Sequence, residues 1–164
     1  MIRLYLIRHA KSSRKNTRLS DFDRPLNKRG KNDLPLMGNR LKRDLIIPNA
    51  IVTSPANRAC TTAKSIAEKL NFPVSQIIEE PQIYEASAST ILNIVNQFND
   101  QNKAYFVFGH NPGFTYLAEK LSGEYFGNIP TLGVVGIEFP FDSWQFVSAE
   151  TGQCIYYNYP KKEE

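Results

Sequence analysis

Two short apolar runs constrain this chain more than anything else in it. Ile2-Arg3-Leu4-Tyr5-Leu6-Ile7 leads into Arg8-His9-Ala10, and Ala104-Tyr105-Phe106-Val107-Phe108 leads into Gly109-His110-Asn111-Pro112-Gly113. Both read as short buried strands, and in open α/β sheets chemistry gathers outside the carboxyl ends of such strands. Each run ends on one of the chain's two histidines. A lone histidine there is most simply a hydrogen-bonding cap. Two of them with no others in the chain, one preceded by Arg8 and one set between Gly109 and Asn-Pro-Gly, point instead to a phosphoryl-transfer site.

Between and after these runs, helix and strand patterns alternate. Residues 10–28 are polar, basic and turn-rich, a loop over the end of the strand at 2–8. Residues 29–46 read as a helix that Pro35 kinks or delays. Ala50-Ile51-Val52-Thr53 is a strand. Ser54 is placed to N-cap, and Pro55 to open, a helix running to about Leu70. Ala59, Cys60, Ala63, Ile66, Ala67 and Leu70 share one face of that helix, and Asn71-Phe72-Pro73 ends it. A further helix spans about 88–99, with Ile91, Leu92, Ile94, Val95 and Phe98 on its apolar face. The strand at 104–108 precedes a helix from Pro112 to Leu121. The tail reads as strands near 132–139, 144–149 and 153–159, the last two joined in a hairpin through Glu150-Thr151-Gly152-Gln153. This order predicts an α/β fold, a three-layer α/β/α sandwich whose mostly parallel central sheet ends in an antiparallel edge. Residues 1–164 are expected to form one domain.

Composition narrows the function classes. The 41% hydrophobic content is that of an ordinary globular protein, and no apolar run approaches the roughly 20 residues of a membrane span. The first strand opens at Ile2, which leaves no room for a signal peptide. Cys60 and Cys154 fit a reducing compartment, so a cytoplasmic location is expected, and they lack the paired spacing of a zinc site. Cys60 reads as a small helix-core residue. The first 43 residues hold 13 of the 20 Lys and Arg but only three of the 16 Asp and Glu. Such a basic segment suits an anionic ligand. No nucleic-acid-binding motif accompanies it and its aromatics are sparse, so nucleic acid is not expected as a partner. Nothing in the pattern demands an oligomer, and a monomer is favoured.

Four segments together carry a family resemblance. Leu6-Ile7-Arg8-His9-Ala10-Lys11-Ser12 is similar to the Arg-His-Gly motif of the histidine phosphatase superfamily, in an Arg-His-Ala variant. Asp23-Arg24-Pro25-Leu26 with Arg29-Gly30 resembles its Arg-Pro-Leu…Gly segment. Thr53-Ser54-Pro55-Ala56-Asn57-Arg58-Ala59-Cys60-Thr61-Thr62-Ala63 resembles Ser-Pro-x-x-Arg-Ala-x-x-Thr-Ala. Val107-Phe108-Gly109-His110-Asn111-Pro112-Gly113 resembles Gly-His-x-Pro. The short length and the Arg-His-Ala-Lys-Ser opening most resemble the SixA-type phosphohistidine phosphatases. The resemblance implies a phosphoglycerate mutase-like fold and a metal-independent phosphatase without cofactors, working through a phosphohistidine intermediate. It implies His9 as nucleophile, with Arg8, Arg24, Arg58 and His110 holding the phosphoryl group.

Those residue types suit the chemistry. Phosphoryl transfer needs positioning and positive charge more than covalent help, and arginine forks match phosphoryl oxygens in pairs. His9 must attack as a neutral imidazole, its second nitrogen held by an acceptor such as a backbone carbonyl. Lys11, Ser12 and Asn16 lie near it in sequence. Superfamily members that expel alkoxides use a carboxylic acid after the second helix, where Gln82-Ile83-Tyr84-Glu85-Ala86-Ser87 offers Glu85; Asp21 and Asp23 are rival donors. A dispensable acid implies an easy leaving group, as in a phosphohistidine-bearing protein. The alternatives are a small-molecule phosphomonoesterase, a sugar-phosphate mutase, which an open site suits poorly, and a phospho-ligand binding module without turnover, which has no need of His9.

Overall fold

The computed structural model describes residues 1–163. Its centre is a six-stranded sheet: β1 (Ile2–Arg8), β2 (Ala50–Thr53), β3 (Ile78–Glu79), β4 (Ala104–Gly109), β5 (Val134–Phe139) and β6 (Gln153–Asn158), in the spatial order β3-β2-β4-β1-β5-β6. The strands β3, β2, β4 and β1 pair in parallel, and β5 and β6 run antiparallel at one edge. The helices are α1 (Lys28–Arg43), α2 (Asn57–Lys69), α3 (Ala88–Val95) and α4 (Gly113–Ser122).

The apolar runs Leu4–Ile7 of β1 and Tyr105–Phe108 of β4 follow from burial of both sheet faces. Leu4 and Leu6, with Tyr105 and Val107, join Ile91 and Val95 of α3 and Phe114, Leu117 and Leu121 of α4 in one core. Tyr5 and Ile7, with Phe106 and Phe108, join Leu34, Met37 and Leu41 of α1 and Ala63, Ile66 and Ala67 of α2 in the other. Alternate residues of one strand thus feed two layers. Burying one such side chain contributes about 1.5–3 kcal/mol, so these layers outweigh local irregularities.

Pro35 is one such irregularity. The helix runs through it from Lys28 to Arg43 rather than being delayed by it. Pro35 is exposed, and Gly30, Leu34, Met37, Gly38 and Leu41 hold the helix down on both sides. A mid-helix proline costs about 3 kcal/mol, which this stripe offsets. The Asn27 side chain caps the start by accepting from the Gly30 N–H at 2.8 Å. Gly30 also lets the loop after β1 lie against α1, since a Cβ there would collide with the Lys11 carbonyl. The helix ends before Leu45, which takes a left-handed φ of 57°, and so stops short of the expected Ile46.

Two other expectations change. The strand expected at 144–149 is a short 3-10 helix, Trp144–Phe146. Its polar groups are satisfied from the far side of the chain: Asn96 Nδ2 donates to the carbonyls of Trp144 and Val147, both at 2.9 Å. The Trp144 N–H donates to Asp100, and its buried indole donates to the Asn102 carbonyl. A segment pinned in this way needs no ladder, so β6 pairs directly with β5 and the expected terminal hairpin is absent among the described residues. The second change is α3, which ends at Val95 rather than near 99. The two-residue β3 carried no periodic signal. Cys60 is buried on α2 as expected, and both cysteines are free. Among the described residues no helix is long and apolar enough to cross a membrane. Glu164 lies outside the described residues.

Candidate active site

Register brings the two histidines together. In the parallel pair β1–β4, Arg8 lies opposite Gly109, so the next residues, His9 and His110, leave the sheet side by side. Their ring centroids are 5.2 Å apart. Around them lies a cavity of about 210 Å³ lined by Arg8, His9, Lys11, Ser12, Arg14, Asp21, Arg24, Arg58, His110, Asn111 and Thr131. Arg8, His9, Arg24, Arg58 and His110, named from the sequence, all line this one cavity. A larger cavity of about 380 Å³ lies between β3 and the end of α3, and none of its lining residues is cationic or a histidine.

His9 is held in one tautomer. Its Nδ1–H donates to the Ala10 carbonyl at 2.7 Å, which leaves the lone pair on Nε2. The loop beyond is anchored on α2, where the Ala10 N–H donates to Thr62 Oγ1 at 3.0 Å. Burial, joined by the nearby His110, Arg58 and Arg8, pushes His9 down to about 3 despite the Ala10 bond. Burial with Arg58 and Arg8 likewise pushes His110 down to about 4, against an opposing pull from Asp21. Both rings are neutral at pH 7. His110 Nε2 shares a 2.8 Å hydrogen bond with Ser54 Oγ. Ser54 therefore does not cap α2 as expected. The N-cap is Ala56, which has no side-chain bond to offer, and Arg58 sits one residue inside the helix.

Asp21 ties the arginines together. Its Oδ1 accepts from Arg24 Nε at 3.1 Å and from a terminal nitrogen of Arg24 at 2.8 Å. Its Oδ2 accepts from Arg58 at 3.0 Å and from the Tyr84 hydroxyl at 2.6 Å. Its backbone carbonyl accepts a second Arg58 bond at 2.6 Å. The Tyr84 hydroxyl, with Arg24 and Arg58, holds the Asp21 carboxyl well below the usual carboxylate range. The same bond, with burial, pushes Tyr84 up to about 12. Tyr84 also packs edge-on against His110, with centroids 5.6 Å apart.

The polar bonding of some residues that line the cavity is incomplete. Among the described residues, Arg8 Nε, Arg58 Nε and His110 Nδ1 are three of only four buried side-chain polar atoms without a partner. Arg24 adds a bond to Ser12 Oγ at 2.7 Å, and Arg8 donates to the Ile129 carbonyl at 2.9 Å. Such a ring of cations, around a neutral imidazole with one free nitrogen, has the charge to hold a dianion. No group of three or more His, Cys, Asp and Glu among the described residues is arranged to hold a metal ion.

Glu85 is not brought in. It is exposed, has a left-handed φ of 56° and does not line the cavity. Asp21 lines it, Asp23 does not, and Asn16 belongs to an adjoining cavity. Sequence reasoning missed the Ser54–His110 bond, the Tyr84 contact, Asn111, Thr131 and Arg14. The family resemblance drew attention only to Glu85, the neighbour of Tyr84, and to Asn111 as part of the Gly-His-x-Pro segment.

Residues 4–126 match the profile of the histidine phosphatase superfamily, branch 1. An uncharacterised chloroplastic protein of Arabidopsis thaliana is 28% identical over 158 residues, covering 92% of this chain and 72% of its own. An uncharacterised protein of Mycobacterium tuberculosis is 30% identical over 112 residues, covering 68% and 67%. Among solved structures, the SixA protein of Agrobacterium tumefaciens superposes with a TM-score of 0.83 at 23% identity, covering 97% of this chain and 98% of its own. The protein histidine phosphatase SixA in complex with tungstate gives 0.82 at 22%, covering 97% of each chain. A phosphoserine phosphatase variant from Entamoeba histolytica gives 0.69 at 15%, covering 98% of each. The shared architecture is the expected phosphoglycerate mutase-like α/β sandwich.

Proposed function

The chain belongs to branch 1 of the histidine phosphatase superfamily, and from that membership we propose that it removes the phosphoryl group from phosphohistidine side chains of a protein, through a phosphate carried transiently on His9. The observation that carries the substrate class is the state of Asp21. It is the carboxylate in the cavity, and it accepts hydrogen bonds from Arg24, Arg58 and Tyr84 that favour its ionised form. An alkoxide needs a proton as it leaves, and an anion held this firmly is a poor acid. An imidazole carrying a proton on its remote nitrogen leaves phosphorus as a neutral molecule. The site therefore favours a phosphoramidate over an alkyl phosphate.

The steps use this chain's own groups. Arg8, Arg24, Arg58 and His110 donate to the phosphoryl oxygens and meet the charge that grows in transfer. His9 Nε2 attacks phosphorus in line. The new N–P bond forms as the substrate's N–P bond breaks, and the bonding pair leaves with the departing imidazole. Phosphorylation places positive charge on the His9 ring, which the Nδ1–H bond to the Ala10 carbonyl stabilises. Water then attacks phosphorus, releasing phosphate and neutral His9. The names of the SixA neighbours and the tungstate in one of them accord with this reading.

The test compares a phosphohistidine peptide, p-nitrophenyl phosphate and a panel of sugar phosphates in EDTA, using wild type and Glu85→Gln. Fast peptide turnover indifferent to Glu85→Gln supports the proposal. A preference for alkyl phosphates with a large loss in Glu85→Gln replaces it with a metabolite phosphomonoesterase that uses Glu85 as its acid.

A further inference from the structure

We propose that the site continues into a second anion subsite, formed by Lys11 and Arg14, which selects phosphorylated substrates carrying a further negative group beside the phosphoryl group; this rests on the phosphatase reading above. Five cationic side chains line the phosphate cavity, Arg8, Lys11, Arg14, Arg24 and Arg58, against one carboxylate, Asp21. Three of the five are engaged: Arg24 and Arg58 pair with Asp21, and Arg8 donates to the Ile129 carbonyl. Lys11 and Arg14 are exposed, and the side chain of neither makes a hydrogen bond or ion pair among the described residues. A phosphoryl group brings about two negative charges at neutral pH. Together with Asp21 it leaves two of the five cations unmatched, and these are the two at the rim.

A second observation gives the surplus charge a direction. Arg14, Asp21 and Arg24 also line a neighbouring cavity of about 350 Å³, continued by Asn16, Thr17 and Leu19. The phosphate cavity is thus adjoined, on the side of the basic loop after β1, by a second space, and Arg14 lines both. Leu19, 38% exposed, offers the body of a substrate an apolar contact there. A ligand whose phosphoryl group faces His9 and whose chain follows this groove passes Arg14 next. The recognised chemistry is a second anion, supplied either by acidic residues flanking a phosphohistidine or by another phosphate on a small molecule. An exposed ion pair is worth about a two- to fivefold gain in affinity. Two such cations therefore support a preference of about five- to twentyfold, weakened by salt.

The experiment compares wild type, Arg14→Ala and Arg14→Glu on two matched substrate pairs. One pair is phosphohistidine peptides flanked by Ala or by Glu; the other is a sugar monophosphate and the corresponding bisphosphate. The readout is the ratio of kcat/KM within each pair at low and high salt, so that a general loss of turnover cancels. Calorimetric affinities of orthophosphate and pyrophosphate give a third ratio that needs no turnover. In wild type at low salt the more anionic member is expected to lead by about fivefold or more in at least one pair. The lead should shrink in Arg14→Ala, invert in Arg14→Glu and fade at high salt. A lead confined to the peptides assigns the subsite to an acidic protein segment, and one confined to the sugars assigns it to a small molecule. Ratios near one in wild type for all three pairs, or a lead that survives Arg14→Glu, overturn the subsite. Turnover of sugar phosphates without turnover of either peptide rejects phosphohistidine as substrate, while the sugar and pyrophosphate ratios still decide the subsite.

Discussion

Stability between pH 7 and pH 5 should report the active site alone. The chain has two histidines, both in the cavity, and no others to titrate in that range. The unfolded chain binds protons at both near the ordinary value of 6.5, whereas the folded protein waits until about 3 for His9 and about 4 for His110. Because the unfolded state binds more protons, stability is full above pH 6.5 and falls as the pH drops towards those folded values. At pH 5 each histidine costs about 2 kcal/mol relative to pH 7, or about 4 kcal/mol for the pair. That is a large share of the 5–15 kcal/mol typical of a domain. Urea unfolding followed by circular dichroism at pH 7, 6 and 5 measures it, with His9→Gln and His110→Gln each removing about half of the pH dependence. Carboxylates do not confuse the result, because their ordinary pKa values lie below this window. Stability that stays level from pH 7 to 5, or a slope that survives in both variants, would refute the burial of neutral imidazoles on which the nucleophile rests.

Three further outcomes test the individual roles. His9→Ala should abolish turnover while leaving orthophosphate affinity by calorimetry within a few-fold of wild type; residual activity within tenfold of wild type removes the covalent step. Arg58→Ala should lower kcat/KM by about 10²–10³, the range for losing one donor to a developing charge, and unchanged kinetics would show that the phosphoryl group lies elsewhere. Glu85→Gln should leave both kcat and its pH profile on a phosphohistidine peptide unaltered, because Glu85 is exposed and outside the cavity lining; a collapse of the alkaline or acidic limb would restore it as the proton donor.

The parts of this molecule that were legible in the sequence are those governed by local periodicity. The two apolar runs must be covered on both faces, which dictates a layered sheet, and the helices on each side follow from their apolar stripes. The motif positions then place Arg8, His9 and His110 at two strand ends and Arg58 near the start of a helix. The tail was misread because the fate of 144–149 depends on Asn96 and Asp100, some 45 residues earlier, whose side chains satisfy its backbone. The bonding around the candidate acids was hidden for a similar reason. Glu85 stands at the right place along the chain, but Asp21 reaches Arg58 across 37 residues and Tyr84 across 63, and no local pattern reports such contacts.

That hidden connection changes the chemistry as well as the map. Burial keeps protons off the imidazoles of this cavity, and the neighbouring His110, Arg58 and Arg8 repel them further, so His9 remains a free base well below neutral pH. The arginines would be set against one another if Asp21 did not lie between Arg24 and Arg58. Asp21 can do this only as an anion, and in that state it has no proton to lend. On the proposed reading, with His9 as a neutral nucleophile, the cavity's one lining carboxylate is then no proton donor, and the substrates selected are those whose leaving group brings its own proton.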